Sequence, residues 1–241
     1  MTQTLQGKVA LVTGGSRGIG LAIARALVAE GAQVFVTGLS SAHLSSARPK
    51  IEAAGPGAVE TLQADVRKRD DVKRAIDATV ARFGGLDVLI NNAGIGVFKP
   101  VADMNADEWA SIIDTNLTGV YYACHASIPH MRTRGGGSII NISSLAGKNP
   151  FAGAAAYCAS KAALNAFSEV LMQEVRYDGI RVSYVMPGSV ATGFNNGDET
   201  KGADWKSSAD DVADVVISLL KSDARSIPSR VEIRPAKPPK K

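Results

Sequence analysis

Apolar positions along the chain follow two rhythms. Short runs rich in valine, isoleucine and leucine alternate with longer stretches in which apolar residues recur at helical spacing. The first kind predicts strands at Lys8–Thr13, Gln33–Gly38, Ala58–Val66, Leu86–Gly94, Gly137–Ser144, Ile180–Gly188 and Arg230–Pro235. The second predicts helices at Gly18–Gly31, Ser41–Gly55, Arg69–Gly84, Asn105 to about Arg134, Ala154–Gly179 and Ser208–Lys221. Gly31 is a stop signal for the first helix, whereas Pro49 challenges the continuity of the second. Strands that alternate with helices imply βαβ units. No linker or repeat interrupts the series, so residues 1–241 are expected to form one α/β domain. Its expected core is a Rossmann-type, doubly wound, mostly parallel sheet of about seven strands.

Composition agrees with that class. Hydrophobic residues make up 45% of the chain and aromatic ones only 5%, and small residues let helices pack closely on a sheet. The net charge of +4 is modest, and the basic tail at 235–241 reads as a solvated end. Basic and aromatic residues do not interleave as in nucleic-acid-binding surfaces. Membrane spans need about 18 apolar residues in a row, and no run reaches that. The start, MTQTLQGKVALVTGG, lacks the marks of a secretory signal, so a cytoplasmic protein is expected. Cys124 and Cys158 lie in helical patterns and read as reduced thiols. His43, His125 and His130 have no metal-ligand spacing, so no metal is expected.

The stretch VTGGSRGIG, Val12 to Gly20, lies between the first strand and the first helix. In a doubly wound sheet that turn faces the ligand-binding edge, and a helix amino terminus there offers free N–H groups to a phosphate. Gly14 can make the turn, while Gly18 and Gly20 allow close approach of backbone and ligand. The spacing Thr13-Gly14-x-x-x-Gly18-x-Gly20, followed by Asn91-Asn92-Ala93-Gly94, Asn116, Ser144, Tyr157-x-x-x-Lys161 and Pro187-Gly188, resembles the short-chain dehydrogenase/reductase family in its compact, single-domain branch. The likeness covers nearly the whole chain.

Tyr157 and Lys161 are four residues apart and share a helix face. An ammonium beside a phenol favours the phenolate and draws its pKa down from about 10. The resemblance implies that Tyr157 exchanges a proton with the substrate oxygen. It further implies that Ser144 holds that oxygen, Lys161 also binds the nicotinamide ribose, and Asn116 holds a water that links Lys161 to solvent. Ser143, next in line, is easily mistaken for Ser144. The cofactor contacts implied by the resemblance fall on Gly14, Ser16, Arg17, Gly18, Ile19 and Gly20 in the loop, and on Leu39, Asp65 and Val66 beyond the second and third strands. They continue at Asn92, Ala93, Gly94, Tyr157, Lys161, Pro187, Gly188, Val190 and Thr192.

The second strand ends Val36-Thr37-Gly38-Leu39-Ser40 without the carboxylate that repels a 2′-phosphate. Arg17 suits that phosphate, so NADP is expected ahead of NAD. Leu39 stands where many NADP-using members carry a basic residue. The polar segment 193–206 is expected to cover the substrate, with Phe194 and Trp205 either lining the pocket or pinning the segment. The expected substrate is a small carbonyl compound or alcohol. The expected assembly is a homodimer or homotetramer through Tyr121–Met131 and Leu164–Val175, although core packing also explains those faces. Rival readings are a 3-oxoacyl-thioester reductase, a non-catalytic NADP-sensing regulator and a methyltransferase.

Overall fold

The computed structural model describes residues 4–194, 197–198 and 200–239. Seven strands form one sheet: β1 Val9–Val12, β2 Gln33–Gly38, β3 Val59–Gln63, β4 Val88–Asn91, β5 Gly137–Ile142, β6 Ile180–Pro187 and β7 Arg230–Ile233. Their order is β3-β2-β1-β4-β5-β6-β7. Each adjacent pair is parallel, so the sheet is wholly rather than mostly parallel. The order reverses direction at β1, and β1 pairs Val12 with Val36 on one side and Ile90 on the other. All carboxyl ends therefore open onto one edge, and a crevice forms where the winding switches.

The long helices are α1 Gly18–Ala29, α2 Ser41–Glu52, α3 Arg69–Phe83, α4 Ala106–Ile113, α5 Gly119–Thr133, α6 Ala155–Val175 and α7 Ala209–Lys221. Successive strand residues point to opposite faces. Val12, Val36 and Ile90 meet Ile23, Leu27 and Val216 of α1 and α7 in one core. Leu11, Phe35 and Leu89 meet Ile76, Val120 and Leu164 of α3, α5 and α6 in the other. Strands buried on both faces read as continuous apolar runs, which is why the pattern exposed them.

The expected second helix forms: α2 runs through Pro49, which falls in its last turn, with Leu44, Ala47 and Ile51 buried in the core. Two expectations need correction. The span from Asn105 to Arg134 is not one regular helix. Between α4 and α5 the residues Asp114–Thr118 form a wider π turn, and such turns are frequent at functional sites. Strands β3, β4, β5 and β7 end earlier than the sequence runs imply, since their last residues leave the ladder to build loops at the open edge.

Candidate functional site

The loop from β1 to α1 is shaped by what its glycines lack. Gly14 (φ +62°) and Gly18 (φ +53°) adopt left-handed backbone, and a Cβ on Gly14 would sit 2.8 Å from Ala93 Cα. A Cβ on Gly20 would fall 2.3 Å from Asn92 Nδ2 and 2.5 Å from Gly14 O. The loop is locked to the strand beside it. Thr13 Oγ1 accepts from Asn92 N (3.1 Å) and Ala93 N (3.2 Å), and Asn92 Nδ2 donates to Thr13 O and Gly14 O (both 3.0 Å). Helix α1 starts from Arg17 with no side-chain cap and no acid in its first turn. That uncapped end, with Ile19 and Gly20 in its first turn, suits a phosphate.

The remaining cofactor candidates come from the neighbouring carboxyl ends. Ser16 Oγ lies 3.2 Å from where a Cβ on Gly38 would be, and Leu39 is exposed. Ser40 caps α2 by accepting from His43 N (3.3 Å), and no acid follows in that helix's first turn. Thr192 lies 3.4 Å from where a Cβ on Gly18 would be. Gly188 N donates to Ile233 O (2.8 Å), and Val190 bridges Ser207, which pins the start of the segment that follows β6. Asp65 is engaged: Arg67 Nη2 reaches its carboxylate at 2.7 Å and holds the carboxyl below its ordinary value. Val66 packs against Gly119 at the start of α5.

At the start of α6, Tyr157 is partly exposed and Lys161 is buried, with 4% exposure. Lys161 Nζ donates to Ile142 O (2.9 Å) and lies 5.9 Å from the centre of the Tyr157 ring. Burial lowers Lys161 to about 8. Burial also raises the Tyr157 phenol, and a hydrogen bond from Ser144 only partly opposes it. The expected lowering of the phenol by Lys161 is therefore absent here, because removing the phenolate from water costs more than the neighbouring groups return. Ser144 and Ser143 are now distinguished. Ser143 is buried and donates to Asn165 Oδ1 (2.5 Å), whereas Ser144 faces Tyr157.

Asn116 does something the sequence did not suggest. It is fully buried in the π turn, its Oδ1 accepts from Ile95 N (2.9 Å), and its Nδ2 donates to Ile95 O (2.9 Å) and Ser160 Oγ (3.0 Å). Ser160 in turn donates to Tyr157 O (2.8 Å). One polar chain thus ties the loop after β4 to the first turn of α6. Both amide hydrogens are used within the protein, so a water that Asn116 holds is not held by its side-chain amide N–H groups.

Sequence reasoning also missed Phe98 and Phe151. The Phe98 ring lies edge-on to Tyr157 at 5.6 Å and 6.0 Å from Phe151. Phe194 lies 5.7 Å from Tyr157 on another side, whereas Trp205 folds back on its own segment, beside Gly202 and Lys206. Asn195, Asn196 and Glu199 of the 193–206 segment, and Lys240 and Lys241 of the tail, lie outside the described residues. Among the described residues no helix is long and apolar enough to cross a membrane.

Residues 8–202 match the family model described as short chain dehydrogenase. An uncharacterized oxidoreductase of Staphylococcus saprophyticus is 34% identical over 231 residues, covering 96% of this chain and 98% of that protein. A 3-oxoacyl-[acyl-carrier-protein] reductase of Chlamydia muridarum is 38% identical over 197 residues, covering 82% and 79%. The crystal structure of a metagenomic short-chain oxidoreductase in complex with NADP superposes with a TM-score of 0.85 at 40% identity, covering 98% of this chain and 100% of that one.

Proposed function

This chain belongs to the short-chain dehydrogenase family, and from that premise we propose that it interconverts carbonyl compounds and secondary alcohols with NADP(H). The observation that carries the reading is the grouping of Ser144, Tyr157 and Lys161 at the sheet edge beside an uncapped helix start. The nicotinamide, when bound, supplies or accepts the hydride. Gly14, Ser16, Gly18, Ile19 and Gly20 would hold its pyrophosphate and ribose side. Asp65, Val66, Asn92, Ala93, Gly94, Pro187, Gly188, Val190 and Thr192 would line the rest, with Lys161 near the second ribose.

In reduction Tyr157 gives its proton to the substrate oxygen. Ser144 Oγ holds the same oxygen and stabilises its developing charge. Lys161 and Asn116 position Tyr157: one is a buried cation beside the ring, the other acts through Ser160 and Ile95. A phenol raised above its ordinary value keeps its proton at neutral pH, which suits the reductive direction. Alcohol oxidation needs the phenolate and gains as pH rises. NADP is favoured over NAD by Arg17, by the absence of an acid at the end of β2, and by the acid-free start of α2. Tyr121 and Val170 point outward from α5 and α6, which supports a homodimer or homotetramer through those helices. One domain with a substrate-covering segment at 193–206 and a cytoplasmic setting complete the reading.

A 3-oxoacyl-thioester reductase is the second reading, favoured by the Chlamydia relative. The test is NADPH oxidation against ketones, 3-oxo esters, aldehydes and a 3-oxoacyl thioester. Tyr157→Phe should lower kcat about 10²- to 10⁴-fold with NADPH still bound. Arg17→Ala should weaken NADPH far more than NADH. Reduction should decline as pH passes Lys161's value of about 8, where the cation that positions Tyr157 is lost, whereas oxidation should rise only toward the higher pH at which the raised phenol itself ionises. Full turnover by Tyr157→Phe would exclude the mechanism.

A further inference from the structure

The carboxyl edge carries a feature that proton transfer does not explain. Three exposed phenylalanines cluster beside the Tyr157 ring, Phe98 and Phe194 against it and Phe151 against Phe98: Phe98 is 45% exposed, Phe151 54% and Phe194 39%. They come from three separate segments: the loop after β4, the loop between Ser144 and α6, and the segment after β6. The rings form a chain from Phe151 through Phe98 and Tyr157 to Phe194, with interplanar angles of 48°, 86° and 52°. Gly96 lies between two of them. A Cβ there would sit 3.1 Å from Phe98 and 3.2 Å from Phe194.

Exposed aromatic side chains grouped around a reactive hydroxyl mark a binding surface rather than a core. The ring edges and faces offer a flat π-system the offset or edge-on approach that aromatic pairs prefer, which a puckered aliphatic ring does not reproduce. The two lysines that flank this wall in sequence are engaged: Lys99 pairs with Glu108 (2.7 Å) and Lys148 with Glu232 (2.5 Å). Neither is available to an anionic group. The wall begins against the tyrosine ring itself, so the group it holds must sit close to the reacting carbon.

We infer that the substrates are neutral ketones, or the matching secondary alcohols, with an aryl ring on the carbonyl carbon or one carbon away. This rests on the reading of Tyr157 as the proton donor. Phe98, Phe151 and Phe194 set the specificity and take no part in proton transfer.

The test compares phenylacetone with cyclohexylacetone, which present the same carbonyl next to a flat or a puckered ring. Acetoacetyl thioester is run alongside, all with NADPH. Wild type should favour phenylacetone over cyclohexylacetone in kcat/KM by on the order of tenfold. Phe98→Leu and Phe194→Leu should each bring that ratio toward one. NADPH binding, followed by nicotinamide fluorescence, should persist in both and show that the site is folded. A ratio near one in wild type, or one unchanged in both variants, overturns the inference. If the thioester is reduced well and the aryl ketone poorly, the inference falls while the proposed reaction stands. If no carbonyl is reduced, both fall.

Discussion

The glycine loop and the aromatic mouth lie at the same edge of the sheet and are made in opposite ways. The loop is defined by side chains that are missing: Gly14 and Gly20 let backbone meet backbone, Gly18 takes a left-handed turn, and Thr13 and Asn92 lock the result. The mouth is defined by side chains that are present and exposed, brought together from three segments. Backbone cannot be exchanged, so the loop tolerates little and suits a ligand that does not vary. Exposed rings can be exchanged at small cost to the fold, so the mouth can diversify while the loop stays fixed.

Substitutions can break that contrast. The largest effect is expected at Gly20→Ala, where the new Cβ meets Gly14 O and Gly15 Cα as well as Asn92. Overpacking against backbone should cost about 3 kcal/mol and lower the melting temperature. NADPH affinity should fall too, and all substrates should suffer alike. An unshifted melting curve would mean the loop is not rigid, and the contrast would be lost. Asn116→Ala comes next. It strands Ile95 N and Ile95 O and removes the donor to Ser160 Oγ, a loss of about 2 kcal/mol in unfolding free energy read by denaturant titration, and kcat should fall more than KM rises. A kcat left at the wild-type value would show that the tie to Tyr157 has no functional weight. Gly96→Ala should act least on stability, by less than about 1 kcal/mol, because it meets the far ends of two exposed rings. It should shift KM for aryl ketones while leaving KM for NADPH alone. A change in both would place the mouth and the loop under one control.

The contrast also explains what could be read in advance. Buried parallel strands announce themselves as apolar runs, and α1 begins at Gly18 and stops just before the left-handed Gly31, so the architecture was legible. Tyr157 and Lys161 were legible because four residues on one helix always share a face. Ser144 was set apart from Ser143 only by the resemblance; the side-chain directions that distinguish them, Ser143 toward Asn165 and Ser144 toward Tyr157, are not encoded in the run of residues. The π turn was hidden because the sequence around Asp114–Thr118 continues a helical pattern; Asn116 is instead engaged by Ile95 and Ser160, both distant in sequence. The aromatic wall left no spacing to read. Phe98, Phe151 and Phe194 become neighbours only through the strand order, and one-dimensional periodicity does not encode that.

The link between Asn116 and position 95 has a consequence for how such a site could be altered. Asn116 grips only the main-chain N–H and C=O of that residue and is indifferent to the side chain it carries. Position 95 therefore works as an interchangeable fitting on a fixed mount. A library of residues there would change an exposed side chain beside the site while the anchoring of the proton donor stays in register.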